Sequence, residues 1–504
     1  MEVVPAGPSI LDTIFREKFE TYKNDPSLFL GDVLRNLEKN LPDTTNILEN
    51  DQKFVRVRGM VQDDRGSEYV CLACTVEENS QAHLSTMLCR DIMNMGESKV
   101  VDFDGQVGRH CYSIVEIPGV HTWMEKIDIQ DSRTSNSSLS SMPVEKLDKF
   151  IAKFIGDEAE EIPVNTVLEM YGILSSHSLD LNPSEANTNL ENVKNLHVLH
   201  YNTINCSSMY PEQLSIADLK TTGRSLLKSL TNVFGDDTTA GWILTNLIST
   251  TYARPGGMPI SFIPLNLVGI TDPVKIVDMF QSLVPVVKHL PLTSELLSNV
   301  AFAPIKNYDK DILEHGELQL PNGTLLIIDE TQLPTGSFPV SGFAEANLKV
   351  LEEFILEQKL SFDFGFYKIP MDVDVPIVIL SSDTSRFLRT PFQVPAITGN
   401  VEFTKDEKEL ELFRQYILVA KSKVRDIIIS GDTSDAIQNS FVDMCKELDK
   451  TADKSDLLNE LLIVCRLMAA GNLREEVLFE DWARSIELER GRKNIMTAWK
   501  KLTS

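Results

Sequence analysis

One short stretch of the sequence limits the possible folds more than any other. Leu318–Leu320 has the pattern of a short strand, and the Pro-Asn-Gly at 321–323 has turn chemistry, because Asn and Gly tolerate positive φ angles. We therefore expect a β-hairpin there. The next four residues, Leu325–Ile328, are all apolar, which is typical of a strand buried on both faces of a parallel sheet. Two adjacent carboxylates, Asp329 and Glu330, end this strand.

Four apolar strand residues followed by Asp-Glu form the Walker B pattern of the P-loop ATPases. In those enzymes the Asp holds Mg²⁺, and the Glu polarises the attacking water. The alternative interpretation is structural, with Asp329 and Glu330 ending a core strand and capping the segment that follows. The sequence upstream of this strand decides between an active site and an inactive one.

An active enzyme of this class also needs a phosphate-binding loop, G-x-x-x-x-G-K-[ST], between a strand and a helix. The apolar run 260–268 leads into Gly269, and a helical pattern follows at 274–284, so the architectural setting is present. Gly269 and Lys275 keep the spacing of the two ends of the motif. They are the Walker A-like residues of the chain.

The remaining positions of that loop oppose phosphate binding. Val274 replaces the second glycine and Ile276 replaces the hydroxyl residue that would bind Mg²⁺. Pro273 lacks an N–H donor, and Asp272 puts a carboxylate where the phosphates would lie. No Gly-Lys dipeptide occurs elsewhere in the sequence. We therefore predict a P-loop type fold with no catalytic residues, no cofactor and no metal, in which Asp329 and Glu330 are vestigial.

Charge narrows the class of partner. The 504 residues include 48 Lys plus Arg against 74 Asp plus Glu, a formal net charge of −26. Such a polyanion repels phosphates, so we expect protein partners and no direct nucleic-acid binding. No apolar run approaches the ~20 residues of a membrane span. The N-terminus lacks the basic region and apolar core of a signal peptide, which predicts an intracellular protein with no membrane partner.

The seven cysteines are scattered along the chain. Cys71 and Cys74 form a C-x-x-C pattern inside a strand-like run, and no second ligand pair follows. A zinc site needs such a pair. We therefore expect buried reduced thiols here.

The first half of the chain predicts helices followed by β structure. Helices cover residues 1–50, with an interruption at Pro26. Region 51–131 has strand patterns, including 54–63 and 68–76 on either side of a turn at 64–67. Short strands at this spacing suggest a small β-barrel of the oligonucleotide/oligosaccharide-binding (OB) kind. The acidic residues on these strands favour a barrel that faces protein.

Region 132–210 combines a serine-rich linker at 132–141, a short helix at 144–155 and a further β segment that includes 166–174. We interpret region 211–400 as a degenerate AAA+ (P-loop type) α/β domain. A C-terminal helical lid over 401–504 completes a multidomain α+β fold.

The sequence also resembles the minichromosome-maintenance complex-binding protein family. The matching stretches are 167–175 (VLEMYGILS), 242–254 (WILTNLISTTYAR), 316–331 (GELQLPNGTLLIIDET) and 462–466 (LIVCR), and residues 54–77 match more loosely. That family is similar to subunits of the hexameric minichromosome-maintenance helicase, which have an OB-like N-terminal part and an ATPase-like domain. The resemblance implies the same architecture here, with a degenerate nucleotide site.

The resemblance also assigns positions in the second half of the chain. Strand 375–380, which ends at Ser381-Ser382, takes the place of the sensor-1 strand, and helices at 455–470 and 479–489 take the place of the lid. Arg466 takes the place of an arginine that is functional in many lid helices. A surface salt-bridge role is the alternative for that residue.

In function, the resemblance implies a nuclear, non-enzymatic partner of helicase subunits. Such a protein acts in DNA replication and the cell cycle through subunit assembly and stability, unloading from chromatin, sister-chromatid cohesion, mitosis and cell division. We interpret the basic cluster at 489–493 as a solvated helix end rather than an import signal, and entry with a partner is one route to the nucleus. An active AAA+ ATPase subunit is the alternative function, and a single-strand-binding OB protein is a third.

Overall fold

A computed structural model describes most of the chain. The described residues are 10–39, 52–78, 81–91, 99–121, 123–124, 139, 142–156, 161–175, 194–204, 215–310, 312–333, 342–385, 388, 390–396, 402–447 and 454–503. They form a mixed α/β structure in two units, the first drawn from 1–117, 122–204 and 307–313 and the second from 118–121, 205–306 and 314–504. Apart from Leu139, the predicted serine-rich linker lies outside the described residues. The predicted five-part division stays a prediction.

The first unit begins with three helices, α1 (Ile10–Glu17), α2 (Phe19–Asn24) and α3 (Ser27–Lys39). The interruption predicted at Pro26 is confirmed, and Lys18 adds a second one. Aromatic rings join the helices, since the centroids of Phe15 and Phe29 are 5.4 Å apart. These rings belong to the apolar cluster that the helices share with the sheet of this unit.

That sheet closes on itself. Its central strands follow the cyclic order β1-β3-β5-β7-β6, and β6 pairs again with β1. Only the β5–β7 pair of this ring is parallel. Strands β2 and β4 pair with β1 outside the ring. The strands are β1 (Lys53–Glu78), β2 (Gln81–Ser85), β3 (Lys99–Val115), β4 (Val144–Glu145), β5 (Lys149–Ile155), β6 (Val167–Ser175) and β7 (Lys194–Ile204).

Two predictions for this unit were wrong. Residues 54–76 form one continuous strand, because the turn-forming residues at 64–67 are absorbed as bulges between Val61 and Gly66 while pairing with β3 continues on both sides. Residues 144–155 form strands β4 and β5 instead of a helix. Phe150, Ala152 and Phe154 alternate into the core at the two-residue period of a strand, and β5 pairs with β3.

The second unit contains a sheet of five strands in the order β16-β8-β15-β12-β9, and every neighbouring pair is parallel. The strands are β8 (Leu265–Val268), β9 (Val287–Pro291), β12 (Leu325–Asp329), β15 (Ile377–Ser381) and β16 (Phe392–Pro395). Strand β12 lies between β9 and β15, and all five of its residues are buried. The prediction of a strand buried on both faces of a parallel sheet is therefore confirmed.

The predicted hairpin before β12 was wrong. The turn itself forms, with Gly323 at φ 87° and the Thr324 N–H 3.3 Å from the Pro321 carbonyl oxygen. Leu318 and Leu320 are buried but belong to no strand. Because β9 and β15 already occupy both edges of β12, no edge is left for an incoming strand to pair with.

The described part of the second unit contains nine α-helices, and all except those at 294–299 and 344–357 share one apolar cluster with the parallel sheet. They are α4 (Ile216–Phe234), α5 (Asp237–Ile248), α6 (Pro273–Leu283), α7 (Ser294–Asn299), α8 (Ala344–Glu357), α9 (Glu407–Lys423), α10 (Gly431–Glu447), α11 (Lys454–Gly471) and α12 (Phe479–Thr503). Short strands β10 (Ile305–Asn307), β11 (Ile312–Glu314), β13 (Lys359–Asp363) and β14 (Lys368–Asp372) complete the element order. None of the described helices is both long enough and apolar enough to span a bilayer.

We predict that Gly172→Ala destabilises the first unit by about 1–3 kcal/mol, the usual effect of overpacking a filled interior. A Cβ atom at this position of β6 would lie 2.4 Å from the carbonyl oxygen of His197 in β7, and backbone cannot move aside as a side chain can. Urea denaturation of the full chain measures the change. Gly108→Ala in β3 is the matched control, because its nearest neighbour there lies at 3.8 Å. Equal stability of the two variants would contradict the prediction.

Candidate functional site

The parallel sheet brings three of the predicted site residues to one edge. Strand β15 lies between β8 and β12, with Ser381 opposite Val268 and Leu380 opposite Asp329. Gly269 directly follows β8, and Glu330 directly follows β12. Carboxyl ends of neighbouring parallel strands form the usual ligand crevice of open α/β sheets. Gly269, Asp329 and Glu330 therefore lie at one edge of this sheet.

The carboxylate of Asp329 is already occupied by protein groups. Oδ1 accepts hydrogen bonds from the backbone N–H of Thr331 at 2.9 Å and from its hydroxyl at 2.6 Å. Oδ2 lies 3.4 Å from Nε2 of His289 on β9. Burial alone would raise the pKa of Asp329, but the bonds from His289 and Thr331 outweigh it and hold the pKa below its usual value. This carboxylate orders the turn after β12 and has 0% solvent exposure.

Glu330 is held in a different way. Ser381 donates a hydrogen bond to Oε2 at 2.9 Å, and Ser385 donates one to Oε1 at 2.8 Å. Burial raises the pKa of Glu330, since these two bonds recover only part of the solvation that the carboxylate loses. Glu330 thus ties the end of β12 to the end of β15. A general base that polarises water would need open space beside it, whereas both of these oxygens face serine hydroxyl groups.

The loop after β8 is covered by the last helix of the chain. Gly269 has φ 82°, and the Ile270 N–H donates to the carbonyl oxygen of Ser381 at 3.1 Å, so this donor belongs to the sheet. A Cβ atom on Gly269 would lie 3.2 Å from Nε1 of Trp499. Trp499 and Met496 of α12 form a buried apolar cluster with Val268. An indole ring therefore lies beside the glycine where a phosphate would approach.

Lys275 lies away from the carboxylates. Its Nζ is 3.3 Å from Oδ2 of Asp272 one helical turn earlier, and its side chain is 61% exposed. It lines a cavity of about 180 Å³ with Phe234 and Met279 and with the segment 402–405. Among the described residues that line this cavity, none comes from the ends of β8, β12 or β15. The lysine of the motif is thus present in sequence but is not brought to Asp329.

Arg466 has a structural role in the described contacts. Its Nε donates to the carbonyl oxygen of Val424 at 2.9 Å, and Nη2 donates to that of Arg425 at 3.1 Å. The guanidinium group also lies 4.3 Å from the ring centroid of Tyr252. These bonds satisfy carbonyl groups at the end of α9, a common use of arginine beside a helix C-terminus. They are neither a surface salt bridge nor a contact with the strand ends.

The described residues contain no group of three or more His, Cys, Asp or Glu side chains placed to hold a metal ion. Cys74 is buried in β1, and burial raises its pKa to about 11. Burial also raises the pKa of Cys71. High thiol pKa values disfavour the thiolate that a zinc ion requires. Both cysteines are free thiols in the structure.

Sequence reasoning missed four residues of this site: His289, Ser385, Met496 and Trp499. His289 is distant in sequence from the Asp329 it faces, and only the β9–β12 pairing brings them together. Trp499 follows Gly269 by more than two hundred residues in the chain. Trp499 is one of three aromatic residues on a mostly polar C-terminal helix, and nothing in the sequence signals that it covers a loop. Ser381 was predicted to end its strand, but not to bind Glu330.

Comparison with known proteins gives a family match over most of the chain. The model of a family described as mini-chromosome maintenance replisome factor matches residues 41–150 and 130–496. An Arabidopsis thaliana protein is 28% identical over 373 residues, which cover 68% of this chain and 62% of the relative. A Drosophila melanogaster protein is 30% identical over 306 residues, covering 57% and 48%. A Mus musculus protein is 28% identical over 382 residues, covering 66% and 59%.

All three relatives are named mini-chromosome maintenance complex-binding protein. The matched part of this chain spans between 48% and 62% of their length. The similarity therefore concerns a large shared part of these proteins.

We predict that Glu330→Gln becomes more stable relative to the unsubstituted protein as pH rises above about 4.3, the usual pKa of an unfolded glutamate. The folded pKa of Glu330 is raised, so the unfolded state loses this proton first and stability falls with pH up to the folded pKa. Glutamine cannot titrate and escapes that loss. Urea denaturation between pH 4 and 8 measures the difference.

Asp329→Asn is the contrasting variant for this test. The pKa of Asp329 is lowered, so its ionised form stabilises the fold above the unfolded pKa and this contribution is lost as pH falls through the folded value. Asp329→Asn should therefore be least stable, relative to the unsubstituted protein, at neutral pH. A stability difference for Glu330→Gln that stays constant with pH would contradict the prediction.

Proposed function

This chain belongs to the mini-chromosome maintenance replisome factor family, and from that premise we propose that it is a non-enzymatic binding partner of the mini-chromosome maintenance complex. The observation that carries the proposal is the family match from residue 41 to 496, together with the binding role in the names of its relatives. The net charge of −26 supports a protein partner over nucleic acid.

For the first unit we propose an OB-type barrel. Five strands closing in the order β1-β3-β5-β7-β6 support it, because a small five-stranded Greek-key barrel is the defining feature of that fold. Acidic residues that form internal ion pairs also support a barrel that contacts protein. Arg56 and Arg58 both bind Glu169, for example, and are not available to track a phosphate backbone.

For the second unit we propose a degenerate AAA+ domain with a helical lid built from α9–α12. The strand order supports this, because it puts the loop after β8 and the carboxylates after β12 at one edge, and a P-loop site needs its phosphate loop and its Mg²⁺-binding carboxylate at one place. Trp499, the displaced Lys275 and the bonded carboxylates support loss of nucleotide chemistry. A boundary near residue 400 between the two parts belongs to the same proposal.

The finer biological roles rest on the resemblance. We propose that the chain acts in assembly or stability of the helicase, in its unloading from chromatin during DNA replication, and in sister-chromatid cohesion. Nuclear localisation is part of this proposal. Within the cluster at 489–493, Arg492 and Lys493 both pair with Glu489, which supports entry with a partner over an exposed import signal.

We predict that the full chain binds purified subunits of the mini-chromosome maintenance complex with a Kd of about 1 μM or tighter. Biolayer interferometry against each subunit and against the assembled complex measures it. Because rim charges dominate steering between oppositely charged surfaces, association should slow as salt rises. Absence of saturable binding to every subunit and to the complex would refute the proposed function.

We predict that the protein shows no saturable binding of Mg-ATP up to about 1 mM, the upper end of usual KM values. Isothermal titration with an active P-loop ATPase as the positive control measures it. Two features could exclude ATP: the indole ring beside Gly269 and the altered loop sequence. Trp499→Ala tests them separately, because it removes the ring and leaves the loop sequence unchanged. ATP binding gained by Trp499→Ala would assign the exclusion to the indole. Micromolar binding by the unsubstituted protein, lost in Asp329→Ala, would revive the active ATPase alternative.

A further inference from the structure

The turn between β13 and β14 exposes a cluster of large apolar side chains. Phe366 is 91% exposed, the largest fraction among the large hydrophobic residues that the structure describes. Tyr367 and Ile369 are 56% and 40% exposed. We call residues 364–369 the aromatic tip. Several large apolar side chains exposed within one turn are typical of interaction sites in folded proteins.

The aromatic tip is held rigidly. The Phe364 N–H donates to the Tyr367 carbonyl oxygen at 2.9 Å, and the Phe366 N–H donates to the Phe364 carbonyl oxygen at 2.8 Å. Gly365, at φ 73°, donates its N–H to the Asp363 carboxylate at 2.8 Å. The rings of Phe364 and Tyr367 stack at 9° with centroids 5.2 Å apart. A loop ordered by so many local bonds loses little conformational entropy on binding.

Resting on the proposed function, we propose that the aromatic tip is a docking element that inserts into an apolar pocket on a subunit of the mini-chromosome maintenance complex. Phe366 is the central anchor, and Tyr367 and Ile369 are its flanks. Aromatic side chains seated in pockets contribute most of the energy of many protein interfaces. The acidic chain complements a pocket with a basic or mixed-charge rim.

Charge argues against nucleic acid or an anionic lipid surface as the occupant. The one cation within the tip, Lys368, is 3.2 Å from the Asp363 carboxylate, and Lys359 at the start of β13 pairs with Glu357. Base stacking on aromatic residues is accompanied by a cationic groove that follows the backbone. With a net charge of −26, the chain would repel that backbone.

Strand β14 at the edge of the hairpin is poorly suited to pair with a strand of a partner. The charge of the chain argues against a second copy as the partner. Pro370 lies in the middle of β14 and removes one backbone donor, while Lys368 and Asp372 flank it. Proline and charged residues are the usual protection of an edge strand against pairing. Two copies would also bring together two surfaces of the same strongly acidic protein. We therefore expect the tip to bind a different folded protein, and to do so through its side chains rather than by backbone pairing.

The test compares two phenylalanines in the full-length protein. Phe366→Ser removes the anchor, and Phe479→Ser is the matched control, because Phe479 is 47% exposed at the start of α12 and undergoes the same chemical change away from the tip and the barrel. Binding to purified subunits of the mini-chromosome maintenance complex is measured by biolayer interferometry. We expect Phe366→Ser to weaken binding at least about 10-fold, as expected for an aromatic hot spot, and Phe479→Ser to leave binding unchanged within about 2-fold.

The outcomes separate this inference from the proposed function. Tight binding by the unsubstituted protein and equally tight binding by Phe366→Ser would overturn the docking role and leave the function standing. Equal loss from both substitutions would also overturn it. A dimer in sedimentation that is lost on Phe366→Ser would assign a second copy instead, and oligonucleotide binding lost on that substitution would assign nucleic acid. No binding by the unsubstituted protein would overturn both proposals.

Discussion

The parallel pairing of β12 with β9 on one side and β15 on the other fixes the position of everything at the candidate site. A strand with two occupied edges and two covered faces strongly favours apolar side chains until its last residue, which explains the run Leu325–Ile328. The chain then leaves the sheet between two other strand ends. Two carboxylates that follow such a strand must therefore find partners inside the protein, because water reaches them poorly.

The two carboxylates meet this requirement in opposite ways. Asp329 accepts bonds from Thr331 and faces His289, and these contacts hold its pKa down. Glu330 receives only hydroxyl donors, so burial raises its pKa. A carboxylate that binds Mg²⁺ must stay charged and keep free lone pairs. Asp329 stays charged, but its oxygens already contact Thr331 and His289. Glu330, whose charged form is disfavoured by burial, is bound between Ser381 and Ser385. The arrangement suits a structural junction between strands.

Much of this could be predicted from short-range pattern. The buried strand at Leu325–Ile328 and the helix after Gly269 depend on residues close in sequence, so the sequence predicted both. The errors have one physical cause in common: tertiary pairing overrode local preference. The turn residues at 64–67 form bulges because β3 pairs with β1 on both sides of them. Residues 318–320 form no strand because both edges of β12 are already paired, with β9 and with β15. The contact of Trp499 with Gly269 could not be predicted, because the two residues are far apart in sequence and only the folded sheet and last helix bring them together.

Aromatic side chains are used in two opposite ways in the second unit. Trp499 is buried beside Gly269, where its contact with Val268 and Met496 stabilises the fold in the ordinary way of apolar burial. Phe366 remains exposed although each exposed aromatic ring favours aggregation, and a cluster of backbone bonds keeps it there. A ring that contributed only to the fold would be stabilised by turning inward. The ordered exposure of Phe366 is therefore best explained by a partner, and it depends on the rigidity of a unit in which the last helix covers the loop after β8.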